Sequence, residues 1–202
     1  SPAFAAKWLL PRIERFQAAW PETDLRLDTS LKPVDFVAQR IDVGVRYGRG
    51  QWPGLAAEKL MDEEVYPVCA PALLATATLQ APGDLRGQVL IHDQSVDTST
   101  GFASWQAWLR HAGVQGVPTD RGLRINNSAA VLQAAIDGQG VALARSVMAH
   151  DDLAAGRLVR LFPQVRLESA LAYYVVYRPE CIAQPKVAAF RDWLLREALG
   201  PA

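Results

Sequence analysis

The feature that most constrains the fold is a repeated alternation of short extended runs and short helical runs. In the first third, DLRLDT (24–29) and DVGVRY (42–47) predict strands, and Pro33–Arg40 between them predicts a short helix. The second half repeats this order, with a strand at 122–126, a helix at 128–137, a strand at 141–144 and a helix at 146–155. Such alternation is typical of an α/β fold in which right-handed crossovers build a sheet.

Two long extended stretches separate the halves. Residues 57–70 contain two strand candidates, and ALAYYVVY (170–177) has the strongest strand pattern of the chain. Pro11 lacks a backbone donor, which predicts either a kink in the helix Phe4–Trp20 or the true start of that helix. The remaining predicted elements are helices at 71–74, 84–87, 102–112 and 186–199 and strands at 89–92 and 158–162.

Charge and cysteine content restrict the function classes. The chain has 21 Lys and Arg against 21 Asp and Glu, so it lacks the basic excess of a domain that binds nucleic-acid phosphates by itself. Cys69 and Cys181 are interpreted as reduced, packed thiols of a cytosolic protein, with a single bridge as the alternative. The sequence has no transmembrane stretch and its start lacks a signal-peptide pattern, so we expect a cytoplasmic protein.

Motifs of catalysis and metal binding are absent from the sequence. His92, His111 and His150 have no second ligand at metal-site spacing, and no HExxH, CxxC, GxSxG, P-loop or GxGxxG occurs. We therefore expect no enzyme activity, no metal and no cofactor, with the histidines in packing or surface roles.

Two helix starts, Ser1-Pro2-Ala3-Phe4 and Asn126-Asn127-Ser128, are the first candidates for a binding site. Each is expected to follow the carboxyl end of a strand, where ligands of open α/β sheets lie. Free N–H groups and a partial positive charge suit such helix starts to carboxylates. The alternative is that Ser1 and Ser128 are ordinary N-caps, which spacing alone favours.

Several segments resemble the effector-binding domain of LysR-type regulators, and more narrowly the subgroup of glycine-cleavage and β-lactamase activators. The most specific segment is RYGxGxWxG, formed by Arg46, Tyr47, Gly48, Gly50, Trp52 and Gly54. The start SPAFAAKWLLPRIERF, the Pro-x-Cys-x-Pro stretch at 67–71 and the segments WQAWL, LQAAIDGQGVALA and FRDWLLREA also match, in the expected order.

This resemblance implies an α/β fold of two Rossmann-like lobes joined by two crossover strands, like type 2 periplasmic binding proteins. Lobe I would comprise 1–68 and 172–202, and lobe II 69–171, with crossings near 67–70 and 170–174. The winged-helix DNA-binding region of the family is not in this sequence. The first strand of lobe I would lie just before Ser1, so we expect its sheet to lack a central strand.

The resemblance also carries over a set of ligand-binding positions between the lobes. In this sequence they are Ser1, Pro2, Ala3, Phe4, Thr29, Ser30, Asp35, His92, Asp93, Ser128 and Tyr173. Ala3 replaces a threonine of some members, which removes a hydroxyl contact. The helix starts would bind a carboxylate, and Asp35 would bind an ammonium or amide donor. Tyr173 would form an aromatic wall of the site. Arg46 and Tyr47 would reach the cleft, with a structural ion pair as the alternative role of Arg46. Asp35 has the alternative role of a cap or of a surface partner of Lys32 or Arg40, and Tyr173 has that of core packing.

The expected function is therefore co-inducer sensing in a bacterial transcription regulator. The effector would be a small carboxylate, amino-acid-like or peptide-like molecule, and the domain would form a homodimer or homotetramer. DNA would be contacted only through the N-terminal domain of a longer protein. The alternative functions are a transporter's solute-binding protein and an enzyme on the same scaffold.

Overall fold

The computed structural model describes residues 1–200 and divides the chain into two compact units. Unit 1 combines Ser1–Asp62 with the segment that starts at Ala170, and unit 2 is Glu63–Ser169. The lobe boundaries at 68/69 and 171/172 stay a prediction, whereas the contacts change from one unit to the other after Asp62 and after Ser169.

Unit 1 combines helices with a small antiparallel sheet. Its elements are α1 (Pro2–Phe4), a π-helical segment (Ala5–Leu9), α2 (Leu10–Ala19), β1 (Val43–Gly48), β2 (Ala56–Met61), β9 (Ala172–Tyr177), a 3₁₀ turn (Pro179–Cys181) and α7 (Pro185–Ala198). The strand order is β1-β9-β2, and β9 pairs antiparallel with both neighbours. Phe16 of α2 packs against Phe190 and Trp193 of α7, with ring centroids 5.0 and 5.4 Å away, which joins the two helices through an aromatic core.

Unit 2 is built around a mixed sheet. Its elements are β3 (Glu64–Cys69), α3 (Pro71–Leu74), a 3₁₀ helix (Pro82–Gly87), β4 (Leu90–Asp93), a 3₁₀ turn (Thr98–Thr100), α4 (Trp105–His111), β5 (Leu123–Ile125), α5 (Ser128–Ile136), β6 (Val141–Arg145), α6 (Ser146–Ala154), β7 (Val159–Arg160) and β8 (Leu167–Glu168). The strand order is β5-β4-β6-β3-β7, and β8 also pairs with β3. β4 runs parallel to both β5 and β6, so the carboxyl ends of these three strands share one edge.

The core of unit 2 is a cluster of buried aromatic and aliphatic side chains. Trp108 of α4 is fully buried and lies against Trp105 and Phe162, with centroid distances of 6.2 and 6.1 Å. Leu90 and Val141 bring the strands β4 and β6 into the same cluster. The apolar positions that predicted α4 therefore face the sheet, as an amphipathic helix requires.

Two predicted elements of the first third are wrong. Residues 24–29 form no strand, because within residues 1–200 no segment pairs with them, and Leu25 and Leu27 are partly exposed. Alternating sequence gives a strand only where a neighbour supplies backbone partners. The helix predicted over 33–40 is absent: residues 33–35 are irregular and 36–40 form turns, in which Gln39 N–H donates to the Asp35 carbonyl and Ile41 N–H to that of Phe36.

The N-terminal helix is interrupted at the place where Pro11 removes a donor. The backbone is α-helical over Pro2–Phe4 and Leu10–Ala19 and π-helical over Ala5–Leu9. Leu10 N–H donates to the Ala5 carbonyl, the wide spacing of a π turn. Proline inside a helix cannot donate to the preceding turn, which accounts for the change in winding.

No helix among residues 1–200 has the length and apolar character needed to cross a membrane.

Candidate functional site

The carboxyl ends of the parallel strands in unit 2 bring polar side chains together. Asp93 is the last residue of β4, Arg145 is the last residue of β6, and Ser128 opens the helix that follows β5. Open α/β sheets bind ligands at this edge because loops and helix N-termini converge there. We call Asp93, Ser95, Phe102, Ser128 and Arg145 the strand-end cluster.

Hydrogen bonds connect the polar members of the strand-end cluster. Asp93 Oδ1 accepts from the backbone N–H and the hydroxyl of Ser95, at 2.9 and 2.5 Å. The Ser128 hydroxyl donates to Asp93 Oδ2 and lies 3.0 Å from the Ser95 hydroxyl oxygen. The carboxylate of Asp93 is thus oriented by two serines, one two residues away and one on the helix α5.

Arg145 supplies the positive charge of the cluster. Its Nη2 donates to the Ser128 hydroxyl oxygen at 3.0 Å and lies 3.8 Å from Met148 Sδ. The guanidinium lies 5.3 Å from the centroid of the Phe102 ring, within cation–π range. Ser128 therefore bridges an anionic and a cationic side chain, and Phe102 fixes the plane of the cation.

Asn127, and not Ser128, is the N-cap of α5. The Asn127 Oδ1 atom accepts from Ala129 N–H at 2.9 Å and from Ala130 N–H at 3.2 Å. Ser128 occupies the first helical position and is 7% exposed. Because Asn127 caps the helix, the Ser128 hydroxyl is available to Asp93 and Arg145.

His92 precedes Asp93 on β4 but does not join the cluster. Its Nε2 atom lies 2.8 Å from the Arg121 carbonyl oxygen. Successive strand residues point to opposite faces, so His92 and Asp93 diverge even though both were proposed as site residues.

The first helix start belongs to unit 1. Ser1 is the N-cap, and its hydroxyl oxygen accepts from Phe4 N–H at 3.3 Å. Pro2 takes the first helical position, whereas Ala3 and Phe4 are buried. Phe4 stacks on Trp8 and on Tyr173, with centroid distances of 5.2 and 4.9 Å, which makes it part of the core of unit 1.

Thr29, Ser30 and Asp35 lie in exposed segments of unit 1. Ser30 Oγ accepts from the N–H of Lys32 at 2.9 Å. Asp35 Oδ1 accepts from Val37 N–H at 2.9 Å and Ala38 N–H at 3.0 Å, which stabilises the turn that follows. This is the capping geometry given above as the alternative role of Asp35.

Tyr173 lies on the central strand β9 of unit 1 and is 2% exposed. Its ring lies 4.9 Å from the ring of Phe4 and 4.7 Å from that of Tyr47, measured between centroids. The observed environment is that of a packed aromatic residue.

Two of the three glycines in the glycine-rich motif lie against aromatic rings. A Cβ at Gly48 would lie 2.9 Å from the Trp52 ring, and one at Gly50 would lie 2.7 Å from the Tyr174 ring, with φ +85° at Gly50. Arg46 donates to the Val34 carbonyl at 3.1 Å, and its guanidinium lies 5.8 Å from the Trp52 ring centroid. Burial lowers the pKa of Arg46 from its ordinary value. The glycines and aromatic rings of the motif pack against one another within unit 1. Arg46 donates to a backbone carbonyl oxygen, whereas the alternative role predicted for it was an ion pair.

Of the strand-end cluster, the sequence analysis predicted Asp93 and Ser128 as site residues but not Ser95, Phe102 and Arg145. Arg145 ends the strand VALAR next to β4, so the strand-end argument that selected Asp93 also applies to it. Ser95 and Phe102 lie on an irregular segment, and no local pattern shows that such a segment returns to a strand end.

Other candidate chemistry is limited. Among residues 1–200, no group of three or more His, Cys, Asp or Glu is arranged to hold a metal ion. Cys69 and Cys181 are buried free thiols, and burial raises the pKa of Cys69 to about 11. A thiol with this pKa is a poor nucleophile near neutral pH.

An α/β domain with a charged, hydrogen-bonded cluster at the carboxyl ends of parallel strands is of the small-molecule-binding class. The chain belongs to the LysR substrate-binding domain family, which it matches over residues 1–199.

Curated relatives support the same assignment. The chain is 43% identical over 198 residues to the glycine cleavage system transcriptional activator of Escherichia coli K12, covering 98% of this chain and 63% of that protein. It is 34% identical over 197 residues to the transcriptional activator AmpR of Pseudomonas aeruginosa, covering 96% and 63%. The chain thus spans just under two thirds of the length of these relatives, which are regulators and not enzymes or transport proteins.

Solved structures confirm the predicted fold class. The effector domain of AmpR from Pseudomonas aeruginosa is similar with a TM-score of 0.77 and 33% identity, covering 98% of this chain and 92% of that one. The AmpR effector-binding domain from Citrobacter freundii has a TM-score of 0.78 and 25% identity, covering 98% and 95%. The chain has the type 2 periplasmic-binding-protein-like fold of LysR effector domains.

Proposed function

We propose that this chain is the sensing domain of a longer LysR-type transcription regulator and that its effector is an amino-acid-like molecule, free or at the end of a peptide. The observation that carries the proposal is the Asp93–Ser128–Arg145 arrangement at the strand ends of unit 2. The family match supports the sensing role, and the side chains of the cluster support the ligand class.

Charge complementarity selects among the ligand classes expected from the sequence. Arg145 presents a planar cation, which pairs with a carboxylate through two parallel N–H donors. Asp93 lies one serine hydroxyl away and would repel a simple carboxylate, but it would accept an ammonium. A ligand that carries both charges therefore fits this cluster better than a small carboxylate without an amine.

Unit 1 contributes a second set of candidate contacts. Ser1, Thr29, Ser30 and Asp35 offer hydroxyl or carboxylate groups at helix-start and loop positions of that unit. We propose these as effector contacts of unit 1. We also propose Asp35 as a second partner for an ammonium group. An ammonium would compete with the two backbone N–H groups that donate to Asp35 Oδ1.

Regulation would follow from a population shift. An effector that binds one conformation of the regulator more tightly moves the equilibrium by that difference in binding free energy. DNA contact would come from the remaining third of a chain of the relatives' length, and the regulator would act in the cytoplasm as a homodimer or homotetramer. The DNA contact and the cytoplasmic location are inferred from the relatives, which are transcriptional activators, and the oligomeric state is inferred from the family resemblance alone.

Calorimetric titration of the isolated domain tests the ligand class. The standard amino acids and short peptides are compared with their N-acetylated forms and with the carboxylic acids that lack the amine. We expect a binding amino acid whose affinity falls at least about tenfold on N-acetylation, because a charge-assisted hydrogen bond contributes more than about 1.4 kcal/mol. Equal affinity for the N-acetylated form would contradict the role of Asp93.

Variants of the same domain test the residues. Arg145→Ala and Ser128→Ala are each expected to weaken the identified ligand at least about tenfold. Arg124→Ala is the matched control, because Arg124 is an exposed arginine of β5 outside the cluster. If Arg124→Ala weakens binding as strongly as Arg145→Ala, net charge and not the cluster determines affinity.

A further inference from the structure

The first residue of unit 2 carries a buried carboxyl group. Glu63 is the first residue of unit 2 and is 3% exposed. Burying a carboxyl group at this depth costs free energy unless hydrogen-bond partners surround it.

The Glu63 side chain is fixed on the first turn of α6. Its Oε1 atom accepts from the Ser146 hydroxyl at 2.7 Å and from Val147 N–H at 2.8 Å. The Ser146 oxygen in turn accepts from Glu64 N–H at 2.9 Å. A carboxylate at the N-terminus of a nine-residue helix is also favoured by the helix dipole.

The Glu63 backbone ties together the two places where the chain changes unit. Its carbonyl oxygen accepts from the N–H of Ser169, the last residue of unit 2, at 2.8 Å. The next residues continue this pairing, since Glu64 lies opposite Glu168 in the ladder between β3 and β8. Glu63 therefore belongs to one crossing segment and is hydrogen-bonded to the other.

Arg145 of the strand-end cluster is adjacent to this assembly by two routes. It immediately precedes Ser146 and forms the N-cap position of α6. It also lies opposite Val65 in the ladder between β6 and β3, and Val65 lies opposite Leu167 on the other side. Arg145 is therefore covalently joined to Ser146, a hydrogen-bond partner of Glu63.

We propose that Glu63 is a positioning residue that couples the state of Arg145 to the two crossing segments at Glu63 and Ser169. This inference rests on the proposed function, in which Arg145 contacts the effector. Glu63 itself contacts no ligand in this scheme. It converts a local change at the strand-end cluster into a change at the points where the chain passes between units.

Amide hydrogen exchange of the isolated domain, read by mass spectrometry of peptides, tests the coupling without any ligand. Glu63→Gln is expected to raise exchange at least about tenfold both at Val147 and at Ser169. A helix cap with no further role would raise exchange at Val147 alone, and that result would overturn the proposal. Ser146→Ala is a milder second variant that is judged by the same two amides if Glu63→Gln does not fold.

The matched control is Asp152→Asn, because Asp152 is equally buried on the same helix and accepts from Arg157 Nε at 2.8 Å. Its effect is expected to stay near residues 152–158. If Asp152→Asn raises exchange at Ser169 as much as Glu63→Gln does, the response reflects general loss of stability and the coupling is refuted.

A double-mutant comparison tests the direction from Arg145. Arg145→Ala is expected to raise exchange at Ser169 in the wild-type background but to add little in the Glu63→Gln background. Additive effects would show that the two residues act independently. Because no ligand is used, a failure here leaves the binding proposal standing, whereas loss of binding in calorimetry leaves the exchange result unchanged.

Discussion

Gly122 occupies a backbone position that only glycine tolerates. Its φ is +119°, and a Cβ would lie 2.1 Å from the Leu90 carbonyl oxygen. We predict that Gly122→Ala lowers the free energy of unfolding by more than about 2 kcal/mol, measured by urea denaturation, because the backbone must move away from β4. Gly83→Ala is the control, since no atom lies within 4 Å of its added Cβ, and equal losses would contradict this account.

Glu64 gives a pH-dependent prediction. Burial alone would raise the pKa of its carboxyl, but the hydrogen bond and charge of Arg160, with those of Arg166, together hold the pKa below its ordinary value. Arg160 binds both carboxylate oxygens, at 3.1 and 2.5 Å. A depressed folded-state pKa contributes stability above the unfolded pKa of about 4.3, and this contribution is lost as pH falls through the folded value.

Glu64→Gln should therefore destabilise the domain near pH 7, with a difference in unfolding free energy that shrinks below about pH 4.3. Urea denaturation across this pH range measures the difference. Glu180→Gln is the control, because the Glu180 side chain is 66% exposed and its ion pair contributes little. A difference that stays constant into acid would mean that the charge of Glu64 is not what stabilises the fold.

At the same scale, members of the candidate site could be predicted only where a polar residue lies at a strand end or a helix start. Asp93 and Ser128 follow from their places at a strand end and a helix start. The Ser95 and Phe102 contacts depend on how an irregular segment folds back, which no local rule determines. Asn127 was part of the sequence motif, but its choice over Ser128 as cap required the geometry of both side chains.

At the scale of elements, α5 depends on its cap. We predict that Asn127→Ala destabilises the domain by about 1 kcal/mol in urea denaturation, because two N–H groups of the first turn lose their acceptor. Asn126→Ala removes the same side chain one position earlier, from an exposed residue before the cap. A loss at Asn126 as large as that at Asn127 would rule out capping as the cause.

The sequence predicted helices correctly where buried apolar residues recur at helical spacing. It failed where strand formation depends on a neighbouring segment. The helices α4, α5, α6 and α7 lie within three residues of their predicted ends, since their apolar faces pack on sheets and a glycine follows each of them two residues after its end. Residues 24–29 have the alternation of a strand, yet strand formation needs hydrogen-bond partners that residues 1–200 do not supply.

At the scale of the whole molecule, the two compact units contain different features. Unit 2 carries the strand-end cluster on its parallel strands, and unit 1 holds its glycine-rich motif as aromatic packing around Trp52 and Tyr174. The balanced charge lacks the basic excess of a domain that binds nucleic-acid phosphates by itself. The central claim is therefore that an effector is recognised at the strand-end cluster.

Chemical-shift mapping of the labelled domain, titrated with the amino acid that binds in calorimetry, tests that claim most directly. We predict saturable changes concentrated at the amides of Asp93, Ser95, Ser128 and Arg145, with smaller changes at Glu63 and Ser169. Saturable binding whose changes cluster instead around the surface hollow lined by Gln51, Trp52 and Leu55 would contradict the proposed site.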